Sequence, residues 1–206
     1  MTEEEARVAT RAIVGDEALA KLERFAERVI AESENQNLVA KRTLSAMWSR
    51  HLLDSAQLLP LANSAEGLWV DIGSGAGFPG MVVALATCRP VILVEPRRMR
   101  ADFLQAIVDD HGLGERVTVA RTKIERLANF TASVISARAV ASVTSLLDAT
   151  AQIADRATVY LLPKGQSATT ELDDARRRFE GMFHVEQSIT DPASGIIIAA
   201  SVRARR

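Results

Sequence analysis

A single cysteine, Cys88, rules out an intramolecular disulfide. Three histidines, none beside a cysteine, offer no zinc-ligand spacing. Such a chain fits a reducing compartment, and a cytoplasmic location is expected. Aromatics make up 4% of the residues, too few for a broad base-stacking platform. Neither charge sign is in excess: 25 Lys and Arg face 26 Asp and Glu, for a net charge of -1. A globally basic nucleic-acid binder is thereby excluded, and any RNA contact has to come from a local patch. No apolar run reaches the ~18 to 20 residues of a membrane span. The start Met1-Thr2-Glu3-Glu4-Glu5 is acidic where a signal peptide carries positive charge. With 48% hydrophobic and 25% charged residues, the 206 residues suit a single domain. It divides into a helical N-terminal extension over 1–64 and a core over 65–206.

Periodicity supplies the elements. Leu19, Leu22, Phe25, Ala26, Val29 and Ile30 recur at steps of three and four, predicting a helix over 17–34 with Asp16 as N-cap. A second helix is predicted from about Thr43, through Leu44, Trp48, Leu52, Ala56 and Leu59, to a stop at Pro60. β-rich runs then alternate with helical ones. Strands are predicted at 68–72, 91–95, 117–120, 133–136 and 158–162. Helices follow at 81–85, about 97–111 (Met99, Phe103, Ala106, Ile107 and Asp110 on one line, Gly112 at the C-cap) and about 140–153. A helical turn falls near Glu125, and a polar helix spans 168–179. A hairpin of 183–189 and 196–202, turning at Asp191-Pro192, closes the chain. The class is α/β: a mostly parallel seven-stranded, Rossmann-like sheet with helices on both faces and a C-terminal antiparallel hairpin.

The most informative stretch is Asp71-Ile72-Gly73-Ser74-Gly75-Ala76-Gly77-Phe78-Pro79-Gly80, at the carboxyl end of the first strand, where doubly wound folds bind ligands. Two frames compete. Gly75-x-Gly77-x-x-Gly80 matches a dinucleotide fingerprint, with Glu95 placed to hold a ribose. Asp71-x-Gly73-x-Gly75-x-Gly77 suits a cationic sulfonium ligand, with the same Glu95 on the ribose. An ionised Asp71 would repel a pyrophosphate and favour a sulfonium, which points to S-adenosylmethionine. Length agrees, because a nicotinamide-dependent oxidoreductase normally needs a further substrate domain.

These residues and four other motifs carry a family resemblance. Asn37-Leu38, Arg50-His51-Leu52-Leu53-Asp54-Ser55, the loop with its Phe78-Pro79-Gly80, Ile135-Ser136-Ala137-Arg138-Ala139 and Lys164-Gly165 occur in that order. Between Asn35 and Val202 the chain resembles the bacterial small-subunit (16S) ribosomal RNA guanine-N7 methyltransferases, the glucose-inhibited division protein B family. The resemblance implies an S-adenosylmethionine-dependent methyltransferase fold, with 16S ribosomal RNA or the small ribosomal subunit as partner. In-line displacement at a sulfonium requires no metal, the lack of a long apolar run argues against a membrane partner, and a monomer is expected. The resemblance places Gly73 and Phe78 against the cofactor, Ile124 and Glu125 beside the adenine, and Arg138 at the methionine end. The chain has Asn37-Leu38-Val39 where Asn-Leu-Thr is common, and Ser136-Ala137-Arg138-Ala139 where many relatives have Ser-Arg-Ala.

The chemistry narrows the nucleophile. The Asn/Asp-Pro-Pro-aromatic turn that handles exocyclic amines is missing, and Cys88 reads as a core thiol rather than a nucleophile. Guanine N7 has a free lone pair and no proton to lose, so no general base is needed. His51, sharing a helical sector with Asp54 and Ser55, is a candidate substrate-side wall; otherwise a His51–Asp54 hydrogen bond would simply orient two helices. Lys164 is a candidate contact to phosphate or base. Three basic groups could meet RNA: Lys41, Arg42 and Arg50; Arg97, Arg98 and Arg100; and Arg176, Arg177 and Arg178, the last group suiting a solvated helix face. A non-catalytic RNA-binding protein that keeps the loop only for stability is a further alternative.

Overall fold

The computed structural model describes residues 1–62 and 65–205. Ser64, where the expected boundary between extension and core falls, lies outside them. Helix α1 (Glu3–Glu32) begins at a capping box: Thr2 Oγ1 accepts from the Glu5 N–H at 3.1 Å, and Glu5 Oε2 accepts from the Thr2 N–H at 2.8 Å. It therefore starts well before the predicted Glu17, adding a segment ahead of the kink after which the predicted 17–34 helix runs. Gly15, at φ 80°, interrupts it, and Asp16 pairs with Arg11 instead of capping.

The predicted second helix is not continuous. A 3-10 turn (Lys41–Ala46) and a π-helical turn (Trp48–Leu52) lead into two short helices, α2 (Leu53–Ala56) and α3 (Leu58–Leu61). Pro60 sits inside α3 rather than ending the predicted helix. Gln57 is the N-cap there, so the N–H that proline lacks would have had no helical partner. Glu3 of α1 ties the π turn down by accepting from the Trp48 and Ser49 N–H groups at 2.8 and 3.0 Å. Trp48, from the apolar line of that predicted helix, is half-buried against the core under the Arg7 guanidinium.

The remainder alternates as expected: β1 (Trp69–Ile72), α4 (Gly80–Ala86), β2 (Val91–Val94), α5 (Arg98–Asp110), β3 (Val117–Ala120), a 3-10 turn (Ile124–Arg126), β4 (Val134–Ala137), α6 (Val143–Thr150), β5 (Val159–Lys164), α7 (Ala168–Arg178), β6 (Phe179–Gln187) and β7 (Gly195–Ala204). The seven strands lie in the order β3-β2-β1-β4-β5-β7-β6, parallel except where β7 joins β5 and β6. Gly112, at φ 61°, ends α5 in a Schellman motif: its N–H reaches the Asp109 carbonyl while the Leu113 N–H reaches that of Val108.

Strand alternation sorts β1 between two cores. Trp69 joins Leu22, Phe25 and Val29 of α1 and Met81, Leu104 and Ile107 of α4 and α5. Val70 and Ile72 join Leu146, Leu147 and Leu172 of α6 and α7. Full burial of a Leu or Phe is worth roughly 1.5–3 kcal/mol, so α1 is a structural part of the first face rather than a loose arm. Met99, expected on the apolar line of α5, is exposed instead. Cys88 is exposed as well. Helix α4 ends at Ala86 and Thr87 is extended, so Cys88 falls in the turn before β2, at the sheet end opposite the glycine loop. Among the described residues no helix is long and apolar enough to cross a membrane.

Candidate active site

The glycine loop bends over the carboxyl ends of β1 and β2. Gly73, Gly75 and Gly77 take φ values of 68°, 57° and 102°, a region costly for any residue with a Cβ. The Gly73 and Ser74 N–H groups both reach the Val94 carbonyl, at 2.8 and 3.1 Å. Glu95 fixes the other side. Its Oε2 accepts from the Gly75 N–H at 3.0 Å and its Oε1 from the Arg97 N–H at 2.8 Å, and the side chain is buried. These groups enclose a cavity of about 520 Å³, within the range of small-ligand sites. Gly73, Gly75, Phe78, Glu95, Ile124, Glu125 and Arg138 all line it.

Asp71 and Gly77 do not. Asp71 shares the Trp69 side of β1 and is completely buried behind the loop. Its Oδ1 accepts from the Ser136 hydroxyl at 2.6 Å, which in turn accepts from the Trp69 indole N–H at 2.8 Å. Among the described residues its Oδ2 has no hydrogen-bond partner. Burial pushes this carboxyl above the usual carboxylate range, against the opposing pull of Ser136. The expectation that an ionised Asp71 meets the ligand is therefore corrected. The side chain faces the core, where charge is disfavoured, and its repulsion cannot decide between the two frames of the loop.

The glycines themselves separate those frames. A Cβ on Gly77 would lie 2.9 Å from both Met81 and Phe25, and one on Gly80 would lie 2.4 Å from Leu93. Gly80 packs helix against strand as either frame allows, but Gly77 is small for packing, whereas the dinucleotide frame needs its second glycine beside a pyrophosphate.

Arg138, just beyond β4, stands between this cavity and a second one of about 620 Å³, and lines both. Its guanidinium lies over the Phe78 ring, 5.2 Å from the centroid. Nη1 donates to Asp54 Oδ2 at 3.2 Å and to the Arg50 carbonyl at 3.0 Å, and Nη2 donates to His51 Nδ1 at 3.1 Å. Arginine only donates, so Nδ1 accepts and Nε2–H donates to Thr43 Oγ1 at 2.8 Å. Burial first, then the Arg138 and Arg50 charges, lower the His51 pKa to about 3. The imidazole is neutral, stacked on Phe78 at 5.1 Å, with both nitrogens engaged. His51 and Asp54 do not bond each other: both hold Arg138. Ser55 is buried and donates to the His51 carbonyl.

Lys164 lies on the far wall of the second cavity. Its Nζ meets Glu171 at 2.9 Å and donates to the Ala141 carbonyl at 2.6 Å. Burial opposes ionisation of Glu171, but Lys164, Ser167 and the Val143 N–H together hold its pKa below the usual value. Sequence reasoning missed Glu171, Thr43, Thr190 and Asp191. Thr190 Oγ1 donates to Asp54 Oδ1 at 3.1 Å, and Asp191 pairs with Arg50 at 3.1 Å. Nothing local marks them, since the hairpin turn of 188–194 reaches the site only through the folding of β6 and β7. Among the described residues no group of three or more His, Cys, Asp or Glu is placed to hold a metal ion.

Residues 18–194 match the model of the GidB family, described as rRNA small subunit methyltransferase G. Ribosomal RNA small subunit methyltransferase G of Sphingopyxis alaskensis is 49% identical over 183 residues, covering 88% of this chain and 78% of the relative. The protein of the same name from Rhizorhabdus wittichii is 44% identical, covering 100% and 95%. Among solved structures, a methyltransferase from Geobacter sulfurreducens superposes with a TM-score of 0.57 at 15% identity, covering 90% of this chain and 88% of that one. A SAM-dependent O-methyltransferase from Thermotoga maritima gives 0.56 at 18%, covering 86% and 72%. At these identities the structural likeness speaks for the fold.

Proposed function

Because the chain belongs to the GidB family, rRNA small subunit methyltransferase G, we propose that it transfers a methyl group from S-adenosylmethionine to guanine N7 of 16S ribosomal RNA in the small ribosomal subunit. The observation that carries this reading is the shared wall of the two cavities at Arg138, Ala139 and Val140. A methyl donor in one and a base in the other would meet across it.

The residues of the first cavity fit the cofactor. Each Glu95 oxygen takes one backbone N–H and keeps lone pairs for a ribose diol. Ile72, Val94 and Ile124 give an apolar slot for adenine, with Glu125 at its edge. Gly73 and Gly75 let the backbone approach closely, and Arg138, one of the cations lining the cavity, would meet the methionine carboxylate. When bound, S-adenosylmethionine supplies an electrophilic methyl on a sulfonium. On the base side no residue has to take a proton. His51 agrees, since both its nitrogens are engaged and it serves to position Arg138 over Phe78. Among the described residues Lys164 uses two of its three N–H donors, and the third would serve a base oxygen or a phosphate. As positive charge develops on the purine, the Asp54 and Glu171 carboxylates in the cavity wall offset it. Attack by a lone pair that carries no proton needs no Lewis acid, so the enzyme is read as metal-independent, and also as a cytoplasmic monomer.

Calorimetric titration with S-adenosylhomocysteine and, in parallel, with NAD is the test. Saturable binding of the first alone is expected, followed by methylation of a guanine in small-subunit RNA from cells lacking the gene. Binding of NAD alone would overturn the reading, and RNA binding with neither ligand would make the chain a non-catalytic RNA-binding protein.

A further inference from the structure

Three cations border the mouth of the glycine-loop cavity: Arg97 and Arg100 at the start of α5, and Lys123 before the 3-10 turn at Ile124. Among the described residues none has a carboxylate within ion-pair distance, whereas their neighbours Arg98 and Arg121 both pair with Asp102. Arg100 donates to the Asn37 carbonyl at 3.0 Å, which joins this rim to the 37–42 segment. That segment carries Lys41 and Arg42, also exposed and also without a carboxylate partner among the described residues. The chain as a whole has a net charge of -1, so this concentration of unneutralised positive charge is local.

The cofactor cannot account for it. The adenosine half of S-adenosylmethionine carries no anion, the methionine carboxylate is one negative charge, and the sulfonium and ammonium are positive. Glu95 and Glu125 line the same cavity and offset part of this charge, but the three cations outnumber them, so a ligand of net charge +1 enters more readily when a polyanion shares the mouth.

We propose that the RNA backbone crosses this mouth, with phosphates on Arg97, Arg100 and Lys123 and the track continuing to Lys41 and Arg42, so that RNA closes over the bound cofactor. The proposal rests on the methyltransferase reading and adds an order to it: cofactor enters first, RNA second. It also gives the closure a sign. A polyanion over the mouth holds the cationic donor more strongly than the product. In the reaction the S–CH3 bond breaks and its electron pair stays on sulfur. The N7–CH3 bond forms from the purine lone pair, and the positive charge passes to the base. S-adenosylhomocysteine, neutral overall, is then held less tightly, which favours release.

The test compares sinefungin, an unreactive cationic analogue, with S-adenosylhomocysteine. Affinities and dissociation rates are measured with and without whichever of 16S RNA or small subunits the enzyme methylates. RNA should tighten sinefungin by at least about threefold at about 50 mM salt and S-adenosylhomocysteine by less, with the effect fading as salt screens the mouth. The Arg97→Gln/Arg100→Gln/Lys123→Gln variant should bind S-adenosylhomocysteine within about twofold of the parent. Its RNA affinity should fall, and the slope against log salt should drop by about two, three phosphate contacts at roughly 0.7 each. Binding of the two ligands that ignores RNA in the unmodified protein would overturn the proposal while leaving the methyltransferase reading intact. Loss of S-adenosylhomocysteine affinity as large as the loss of RNA affinity would assign the cations to the cofactor and overturn it too. An unmodified protein that binds neither ligand would overturn the methyltransferase reading itself. The arm using unmodified protein does not depend on the variant folding.

Discussion

The two cavities that meet at Arg138 are made of different material. The cofactor side is built from backbone: glycines at positive φ, peptide N–H groups on Glu95, and strand ends in register. The base side is built from side chains in ion pairs and hydrogen bonds, drawn from four distant segments around Thr43–Asp54, Arg138–Ala141, Pro163–Glu171 and Ser188–Ile196. A backbone site is broken by changing conformation or filling space, and a side-chain site by removing a charge or its partner. The largest effect is therefore expected from Gly73→Val. Its φ of 68° disfavours any side chain by about 1–2 kcal/mol, and a Cβ there would come 2.5 Å from Val140 at the wall between the cavities. S-adenosylhomocysteine affinity should fall at least about 100-fold, near 2.7 kcal/mol, with thermal unfolding still cooperative. Affinity retained within a few-fold would show that the backbone description is wrong.

Acid gives a second comparison, because each side holds a buried group whose pKa is shifted, and the two shifts have opposite signs. On the base side, burial and two arginines take His51 from 6.5 to about 3. Between those values the unfolded chain binds a proton that the folded chain refuses. The contribution of His51 to stability is thus full above pH 6.5 and lost as pH falls toward 3, by up to about 1.4 kcal/mol per unit. Behind the glycine loop, burial raises Asp71 from 3.8. Above 3.8 the unfolded chain releases a proton that the folded chain keeps, so its contribution shrinks as pH rises toward the folded pKa. Urea midpoints from pH 4 to 6.5 separate them. Relative to the parent, His51→Gln should lose ground as pH rises and Asp71→Asn should gain it. Curves parallel to the parent in both variants would mean that neither group is held as described.

Next in size is Lys164→Met. The ammonium is held by Glu171 and the Ala141 carbonyl on the base side, distant from Glu95 and the loop. Methylation should fall about tenfold, or 1.4 kcal/mol, while S-adenosylhomocysteine affinity stays within twofold. Equal loss of both would mean that Lys164 only braces the wall between β5 and α7.

The same division governs what could be read from the sequence. The strands and the glycine loop lie in short contiguous runs whose periodicity and glycine spacing are local, so Gly73, Gly75 and Glu95 could be named from them and Phe78 from the family resemblance, whereas the order of the strands appears only in the fold. Asp71 belongs to that run too, but strand alternation turned it into the core, and the run alone did not distinguish an acid facing ligand from one facing Trp69 and Ser136. The segment from Lys41 to Leu61 misled for a further reason. Its apolar spacing suits a continuous helix, but the π turn held by Glu3 widens the winding and aims both His51 and Asp54 at Arg138. Thr190, Asp191 and Glu171 reach the site only through long-range packing, and no motif marks them.

The smallest effect is expected where basic residues are most concentrated in sequence. Arg176, Arg177 and Arg178 end α7, an 11-residue helix that starts beside Lys164 and rises roughly 1.5 Å per residue away from it. Each guanidinium already has an acid: Arg176 with Asp173, Arg177 with Asp174 and Arg178 with Asp148. All three are largely exposed, and such pairs are worth about 0–1 kcal/mol each. A phosphate drawn to this end would also meet three carboxylates. Arg177→Ser should therefore leave RNA affinity and its salt slope unchanged and shift stability by less than about 0.5 kcal/mol. A slope reduced by about 0.7 would place a phosphate on α7 and carry the RNA track well beyond the two mouths. An unchanged slope, set beside a loss at Arg97, Arg100 and Lys123, would confine recognition to the cations that lack a carboxylate partner, so that pairing rather than the count of basic residues decides where RNA lies.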